Sequence, residues 1–136
     1  MSTPGALHHV EIYVADLATS LSFWEPFLTR LGYVESQRWG EGVSYALGQT
    51  YLVFVQASAT HLAAGYHRKR VGLNHLAFHA ASRTQVDEVT AWASASGFNV
   101  LYQERHPFAG GAHYYALYCE DPDKIKVELV APVEST

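Results

Sequence analysis

The sequence has 136 residues, of which 49% are hydrophobic, and a formal net charge of -4 at pH 7. This length suggests one domain, or two small halves that share one core. The small negative charge, with no basic half, argues against nucleic acids and membrane surfaces as partners.

Cellular location is predicted from three features of the sequence. Cys119 is the only cysteine, so the chain cannot form an intramolecular disulfide. The first residues lack the charged and apolar regions of a signal peptide, and no apolar run is long enough to span a bilayer. We therefore expect a cytoplasmic protein.

The first half of the chain predicts one strand, one helix and three further strands. Residues 7–14 alternate between an apolar face and a face that carries His9, Glu11 and Tyr13. A helical pattern follows from Leu17 and ends before Gly32, and three short strands with turns between them run from 33 to 56.

Residues 57–71 have a different composition, with several Ala residues, Ser58, Gly65 and a basic cluster at 67–70. We interpret this segment as a linker, because the alternation of the preceding strands stops there. A solvated surface is the favoured explanation of the basic cluster.

The second half repeats the order of the first. A strand at 73–79 carries His75, Ala77 and His79 on one face, and Ser82 with Gln85 forms a capping box that opens a helix. Strands are then predicted at Phe98–His106, Ala112–Cys119 and 125–131.

The two halves also share short motifs in the same order, which indicates an internal repeat. Leu7-His8-His9-Val10 matches Leu73-Asn74-His75-Leu76, and Tyr45-Ala46-Leu47 matches Tyr115-Ala116-Leu117. The predicted fold class is therefore α+β. Two βαβββ modules, 6–56 and 72–132, form one curved, half-barrel mixed sheet with the helices outside.

Glu128 is the unusual residue of the last predicted strand, because it lies within the apolar run Ile125 to Val130. A carboxylate is costly to bury unless another group binds it. Alternation of side chains along the strands places Glu128, His9 and His75 on the hollow face of the predicted sheet.

These motifs resemble the vicinal oxygen chelate superfamily, which includes glyoxalase I, extradiol dioxygenases, and fosfomycin and bleomycin resistance proteins. The resemblance rests on the repeated His-containing strand, on the helix start with Asp16, Leu17 and Ser20, and on the segment from Glu120 to Val130. It covers roughly residues 6–132.

The resemblance implies a site for one divalent metal ion, held by His9, His75 and Glu128. Fe, Mn, Zn, Ni and Co are not distinguished. Phe54 is taken as the counterpart of Glu128 in the first half, and a phenyl ring cannot coordinate a metal. Two histidines and one carboxylate leave positions open for substrate, which suits a catalytic metal.

Glu128, Tyr115, His79 and Glu11 are the candidate catalytic residues. Lys126 shares their face and is a further candidate for orienting ligands or moving protons. Either Tyr114 or Tyr115 could reach the substrate, since the phase of the strand at 112–119 is ambiguous. A structural role is the alternative for each of these second-tier residues.

The predicted function is that of a metal-dependent enzyme (a lyase, transferase or dioxygenase) that acts on a small oxygenated molecule by bidentate chelation. Two alternatives stay open: a metal-independent protein that binds an antibiotic-type small molecule, and an extradiol-type dioxygenase. The resemblance also implies a homodimer.

Overall fold

The computed structural model describes residues 2–134, and they divide into two compact units with a boundary between Gly65 and Tyr66. The boundary lies inside the segment that the sequence predicts as a linker. Each unit contains one principal helix and one sheet, so the predicted α+β fold class is confirmed.

The first unit contains a four-stranded sheet with the order β1-β4-β3-β2. Its elements, in chain order, are β1 (His9–Val14), α1 (Leu17–Arg30), β2 (Val34–Trp39), β3 (Gly42–Leu47), β4 (Thr50–Gln56) and the short α2 (Ala59–Leu62). Strand β1 runs parallel to β4, and the other neighbours are antiparallel.

Helix α1 covers one face of this sheet. The side chain of Asp16 accepts a hydrogen bond from the Thr19 backbone N–H at 2.9 Å, which caps the first turn. Trp24 of α1 packs against Phe54 of β4 with ring centroids 4.9 Å apart. Both side chains are fully buried and form the centre of the first unit's core.

The second unit contains a three-stranded sheet with the order β5-β7-β6 among the described residues. Its elements are β5 (His75–His79), α3 (Arg83–Ala95), β6 (Ala116–Glu120) and β7 (Lys126–Val130). Ser82 caps α3 as predicted, since its Oγ accepts from the Gln85 N–H at 3.1 Å. The Gln85 side chain reaches back as in a capping box, but it accepts from the N–H of Ala81, one residue before the cap. Val86, Val89 and Ala93 form its buried stripe, as the sequence predicts.

The predicted strand Phe98–His106 is wrong. Only Val100 pairs, through an isolated bridge to Cys119, and Tyr102 then adopts a left-handed backbone with φ 56°. The carbonyl of Tyr102 accepts from the N–H groups of Arg105 and His106, both at 2.9 Å, so local turn bonds replace strand pairing. The strand predicted from Ala112 begins only at Ala116.

Within residues 2–134, none of the helices is both long enough and apolar enough to cross a membrane.

Candidate functional site

Strand pairing in the second unit places several polar side chains on one face. Strand β7 lies between β5, which is parallel to it, and β6, which is antiparallel. Residues that are paired across strands project to the same side of a sheet. The shared face carries His75, Ala77 and His79 from β5, Lys126, Glu128 and Val130 from β7, and Tyr118 and Glu120 from β6.

Glu128 is buried at the centre of this face and is 4% exposed. The hydroxyl of Tyr114 donates a hydrogen bond to Glu128 Oε2. This hydrogen bond, together with burial, raises the pKa of Tyr114 to about 12. Burial and then the nearby Glu128 carboxylate raise the pKa of Tyr118, the cross-strand partner of Glu128. Two phenols therefore stabilise the buried carboxylate.

His75 lies beside Glu128, with its Nε2 atom 3.6 Å from Glu128 Oε1. Its other ring nitrogen, Nδ1, is 2.7 Å from Asn74 Oδ1. The amide nitrogen of Asn74 donates to the carbonyl of Arg68 at 3.0 Å, so the amide oxygen must face the histidine. Nδ1 therefore carries the hydrogen of the neutral ring.

This arrangement leaves the lone pair of His75 Nε2 facing a carboxylate oxygen. Two electron-rich groups at this distance repel each other unless a cation lies between them. A second proton on the ring or a bound metal ion would satisfy both groups.

A chain of hydrogen bonds extends away from His75 and anchors Asn74. The Arg68 guanidinium pairs with Glu120, which also accepts from Asn99 Nδ2 at 2.8 Å. Burial alone would raise the pKa of Glu120, but the hydrogen bonds from Asn99 and Arg68 outweigh it and hold the pKa below its usual value. These contacts fix the backbone carbonyl to which Asn74 donates.

His9 and Glu11 belong to the first unit, on the exposed face of β1. The His9 ring stacks on Tyr51 with centroids 4.6 Å apart and an interplanar angle of 4°. Its Nδ1 atom is 2.9 Å from Nδ1 of His8, which occupies the position that Asn74 has before His75. Each predicted histidine ligand thus follows a residue that contacts its Nδ1 nitrogen.

The assignment of Phe54 as the counterpart of Glu128 is corrected by the register. Glu128 pairs with Ala77, two residues after His75, whereas the residue two after His9 is Glu11, which pairs with Val53. Phe54 points to the opposite face and is buried against α1. Val53 is therefore the equivalent position, and it too lacks a metal-binding group.

Two other candidate residues lie apart from the pair of His75 and Glu128. Tyr115 donates its hydroxyl to Asp87 of α3 at 2.5 Å, so of the two adjacent tyrosines, Tyr114 and Tyr115, it is Tyr114 that contacts Glu128. His79 is exposed at the end of β5, opposite Val130, about 7 Å along the strand from the Glu128 position.

Asn74, Tyr118 and Tyr102 also belong to the surroundings of the site, and the sequence patterns do not predict them. The repeat aligns Asn74 with His8, and this alignment is the sequence feature that points to Asn74. Tyr118 is recognised only from the antiparallel register of β6 on β7.

A comparison with protein families decides the classification of the chain. Residues 6–129 match the model of the Glyoxalase/Bleomycin resistance protein/Dioxygenase superfamily. The chain belongs to this superfamily. The predicted family resemblance is thereby confirmed, and the superfamily includes enzymes such as lactoylglutathione lyase.

Individual proteins are similar to this chain over nearly their whole length. The uncharacterized protein YqjT of Bacillus subtilis (strain 168) is 58% identical over 126 residues, which are 93% of this chain and 98% of that protein. A candidate glyoxalase from Bacillus halodurans, known from its crystal structure, is 56% identical in sequence. The match covers 95% of this chain and 97% of that protein, with a TM-score of 0.93. Lactoylglutathione lyase from Agrobacterium tumefaciens shares the fold at 22% identity, with a TM-score of 0.64 and 96% of each chain covered.

Superfamily members commonly use a divalent metal, and the donors of the second unit fit one. Two ligand atoms that lie about 2.1 Å from a shared ion are about 3.0 to 3.6 Å apart, and Nε2 of His75 and Oε1 of Glu128 are 3.6 Å apart. Imidazole nitrogen and carboxylate oxygen are both common ligands of transition metals. No group of three or more His, Cys, Asp or Glu side chains with metal-site spacing occurs within residues 2–134, so the pair needs a further ligand.

Proposed function

We propose that this member of the superfamily is a divalent-metal-dependent enzyme that acts on a small oxygenated molecule. His75 and Glu128 are two of the protein ligands, and His9 is the third ligand that the family resemblance implies. The observation that carries this proposal is the position of His75 Nε2, which lies 3.6 Å from Glu128 Oε1 while Asn74 Oδ1 contacts the other ring nitrogen.

The metal, when bound, supplies Lewis-acid polarisation of a substrate oxygen and stabilises developing negative charge. The residues around it hold the ligands in place. Asn74 fixes the tautomer and orientation of His75, which is the usual task of a residue that binds the second nitrogen of a histidine ligand. Tyr114 holds one carboxylate oxygen of Glu128 and leaves Oε1 directed to His75.

Exposure of the site agrees with a catalytic metal better than with a structural one. The side chain of His75 is 37% exposed, whereas that of Glu128 is 5% exposed. A ligand pair with one accessible member lets substrate approach the ion, and catalytic metal sites keep such an open position.

Metal content of the purified protein tests the proposal. Elemental analysis after growth in metal-replete medium should find about one divalent ion per chain. Calorimetric titration with Mn(II) or Zn(II) should show binding that His75→Ala and Glu128→Gln weaken at least about 100-fold, since each removes a ligand. The matched controls are the exposed residues His61 and Glu104, and His61→Ala and Glu104→Gln should bind like the wild type.

Metal-free wild-type protein that shows no calorimetric binding of these ions would contradict the proposal. Ligand binding that is insensitive to chelators would then support the antibiotic-type binding protein. Oxygen consumption with catechols in the presence of Fe(II) would identify the extradiol-type dioxygenase as the reaction class. The homodimer stays a prediction, which analytical ultracentrifugation tests.

A further inference from the structure

Lys126 is a charged residue on the same face as the His75 and Glu128 pair. It is the cross-strand partner of His75 in β5 and of Glu120 in β6. It lies two residues before Glu128 on β7, so the two side chains project to the same side about 7 Å apart along the strand. The ammonium therefore belongs to the immediate surroundings of the proposed metal.

Two tyrosines hold the Lys126 side chain. Its Nζ atom donates to the hydroxyl of Tyr102 at 3.0 Å. The same atom lies 5.0 Å from the ring centroid of Tyr102 and 5.0 Å from that of Tyr118. Both distances suit a cation–π contact. The ammonium is thus oriented by neutral groups.

No carboxylate of residues 2–134 lies within ion-pair distance of Lys126 Nζ. Two other cations of this unit have acidic partners, since Arg68 pairs with Glu120 and Arg83 lies 3.2 Å from Glu134. Lys126 consequently presents an oriented positive charge that no protein carboxylate neutralises at contact distance. An ammonium in this position attracts an anionic group of a bound molecule.

We infer that Lys126 and Tyr102 form a subsite for the carboxylate of the substrate, and that the substrate is an α-oxygenated carboxylic acid, such as a 2-hydroxy or 2-oxo acid. The inference rests on the proposed function, because the vicinal oxygens of such an acid would chelate a metal ion held by His75 and Glu128. The negative charge of the acid is then balanced by the ammonium at the neighbouring position.

The number of cations favours a carboxylate over a phosphate. One ammonium and one hydroxyl match a single negative charge with two acceptor oxygens. Phosphate groups are typically bound by several cations or by backbone N–H groups at a helix N-terminus, and helix α3 begins with its N-terminal turn capped by Ser82 and Gln85.

The experiment compares two probes that differ by one charge. Oxalate and its monoamide oxamate both chelate through vicinal oxygens, and their binding to the Mn(II)-loaded protein is measured by calorimetry. Binding of Mn(II) alone is measured first for each variant. The variants are Lys126→Met, Lys126→Gln and Tyr102→Phe, and Lys69→Gln at an exposed lysine is the charge-matched control.

We expect Lys126→Met and Lys126→Gln to bind Mn(II) as tightly as the wild type or more tightly, because a repulsive charge is removed. Both should lower oxalate affinity about 10-fold or more and should reduce the preference for oxalate over oxamate. Tyr102→Phe should weaken oxalate binding about 3-fold, since it removes the neutral hydroxyl of the subsite and leaves the ammonium in place. Lys69→Gln should change neither affinity.

Equal oxalate affinity in the wild type and in the Lys126 variants, with Mn(II) binding intact, would overturn the carboxylate subsite and leave the metal proposal standing. An unchanged preference for oxalate over oxamate would also overturn it. Failure of the wild type to bind Mn(II) would overturn the proposed function itself. If the Lys126 variants do not fold, an unchanged oxalate affinity in Tyr102→Phe decides against the subsite.

Discussion

The two units carry the same strand–helix–strand plan, but they place their carboxylates differently. In the first unit the acid is Glu11 on β1, exposed and paired with Val53. In the second unit the equivalent pair is Ala77 and Glu128, and the acid is on β7, buried and bound by Tyr114. The acid lies on the first strand of one unit and on the last strand of the other, and the apolar partner lies on the opposite strand in each case. The repeat thus preserves the backbone plan, but only Glu128 of these two carboxylates is shielded from solvent.

The residues that precede the two histidines differ in the same way. Asn74 is an acceptor with a fixed orientation, because its amide nitrogen donates to the Arg68 carbonyl. His8 contacts His9 through a ring nitrogen whose role as donor or acceptor depends on its tautomer. The second unit therefore holds its histidine in one defined state, whereas the first unit does not. Proposed metal binding is accordingly expected to depend most on the second unit.

The largest expected effect tests the corrected register of the first unit. Phe54→Ala should lower the free energy of unfolding by about 3–5 kcal/mol, because it empties a fully buried position against Trp24. Val53→Ala should cost about 2 kcal/mol or less, since it removes two methyl groups from the other face. Urea denaturation measures both. A larger loss for Val53→Ala would show that the faces are assigned the wrong way round.

The next prediction compares the ion pairs of the two units. Arg68→Ala should destabilise the protein by about 2 kcal/mol at pH 7, because it removes a partly buried guanidinium that binds Glu120. Arg38→Ala should have no measurable effect, since Arg38 and Glu35 form an exposed pair with side chains 48% and 43% exposed.

The Arg68 effect should depend on pH. The folded-state pKa of Glu120 is below its value of 4.5 in the unfolded chain, so its pairing stabilises the fold above pH 4.5. This contribution is lost as the pH falls through the folded-state pKa. The difference between Arg68→Ala and wild type should therefore shrink in denaturation curves measured at progressively lower pH. A difference that stays constant down to pH 2 would contradict the role given to Glu120.

The smallest predicted effect concerns the residue before each histidine. Asn74→Ala should weaken metal binding about 10-fold, which is the usual cost of losing a group that orients a histidine ligand. Isothermal titration calorimetry with Mn(II) measures this loss. His8→Asn gives the first unit the residue of the second, and it should alter metal affinity by less than about 3-fold. Equal losses in the two variants would remove the distinction between the units.

Alternation of side chains predicted the shared face of His75 and Glu128 from the sequence, because both belong to regular strands, β5 and β7. It did not predict the tyrosine beside Glu128, since residues 112–115 precede β6 and have no strand phase. The internal repeat also predicted Phe54 instead of Val53 as the counterpart of Glu128. The repeat aligns short motifs, whereas the face on which a side chain lies depends on the strand register, and a shift of one position moves the side chain to the opposite face.

The missing strand has a different cause. The segment 98–106 contains Phe98, Val100 and Tyr102, which are residue types that favour strands. The left-handed backbone of Tyr102 ends the extended conformation, and local turn hydrogen bonds follow it. The ring of Tyr102 also contacts Lys126, and such long-range contacts override local propensity. Fold class and family could thus be predicted from short motifs, whereas the surroundings of Glu128 depend on contacts between residues distant in the sequence.

The most direct test of the central claim is the Mn(II) affinity of two variants, each of which removes the carboxylate charge from the histidine-bearing face of one unit. Glu128→Gln and Glu11→Gln each remove one carboxylate, and isothermal titration calorimetry measures the dissociation constant of Mn(II) for each. We predict that Glu128→Gln weakens binding at least about 100-fold and that Glu11→Gln changes it less than about 3-fold. Wild-type affinity in Glu128→Gln, or an equal loss in both variants, would contradict a metal site built on the buried carboxylate of the second unit.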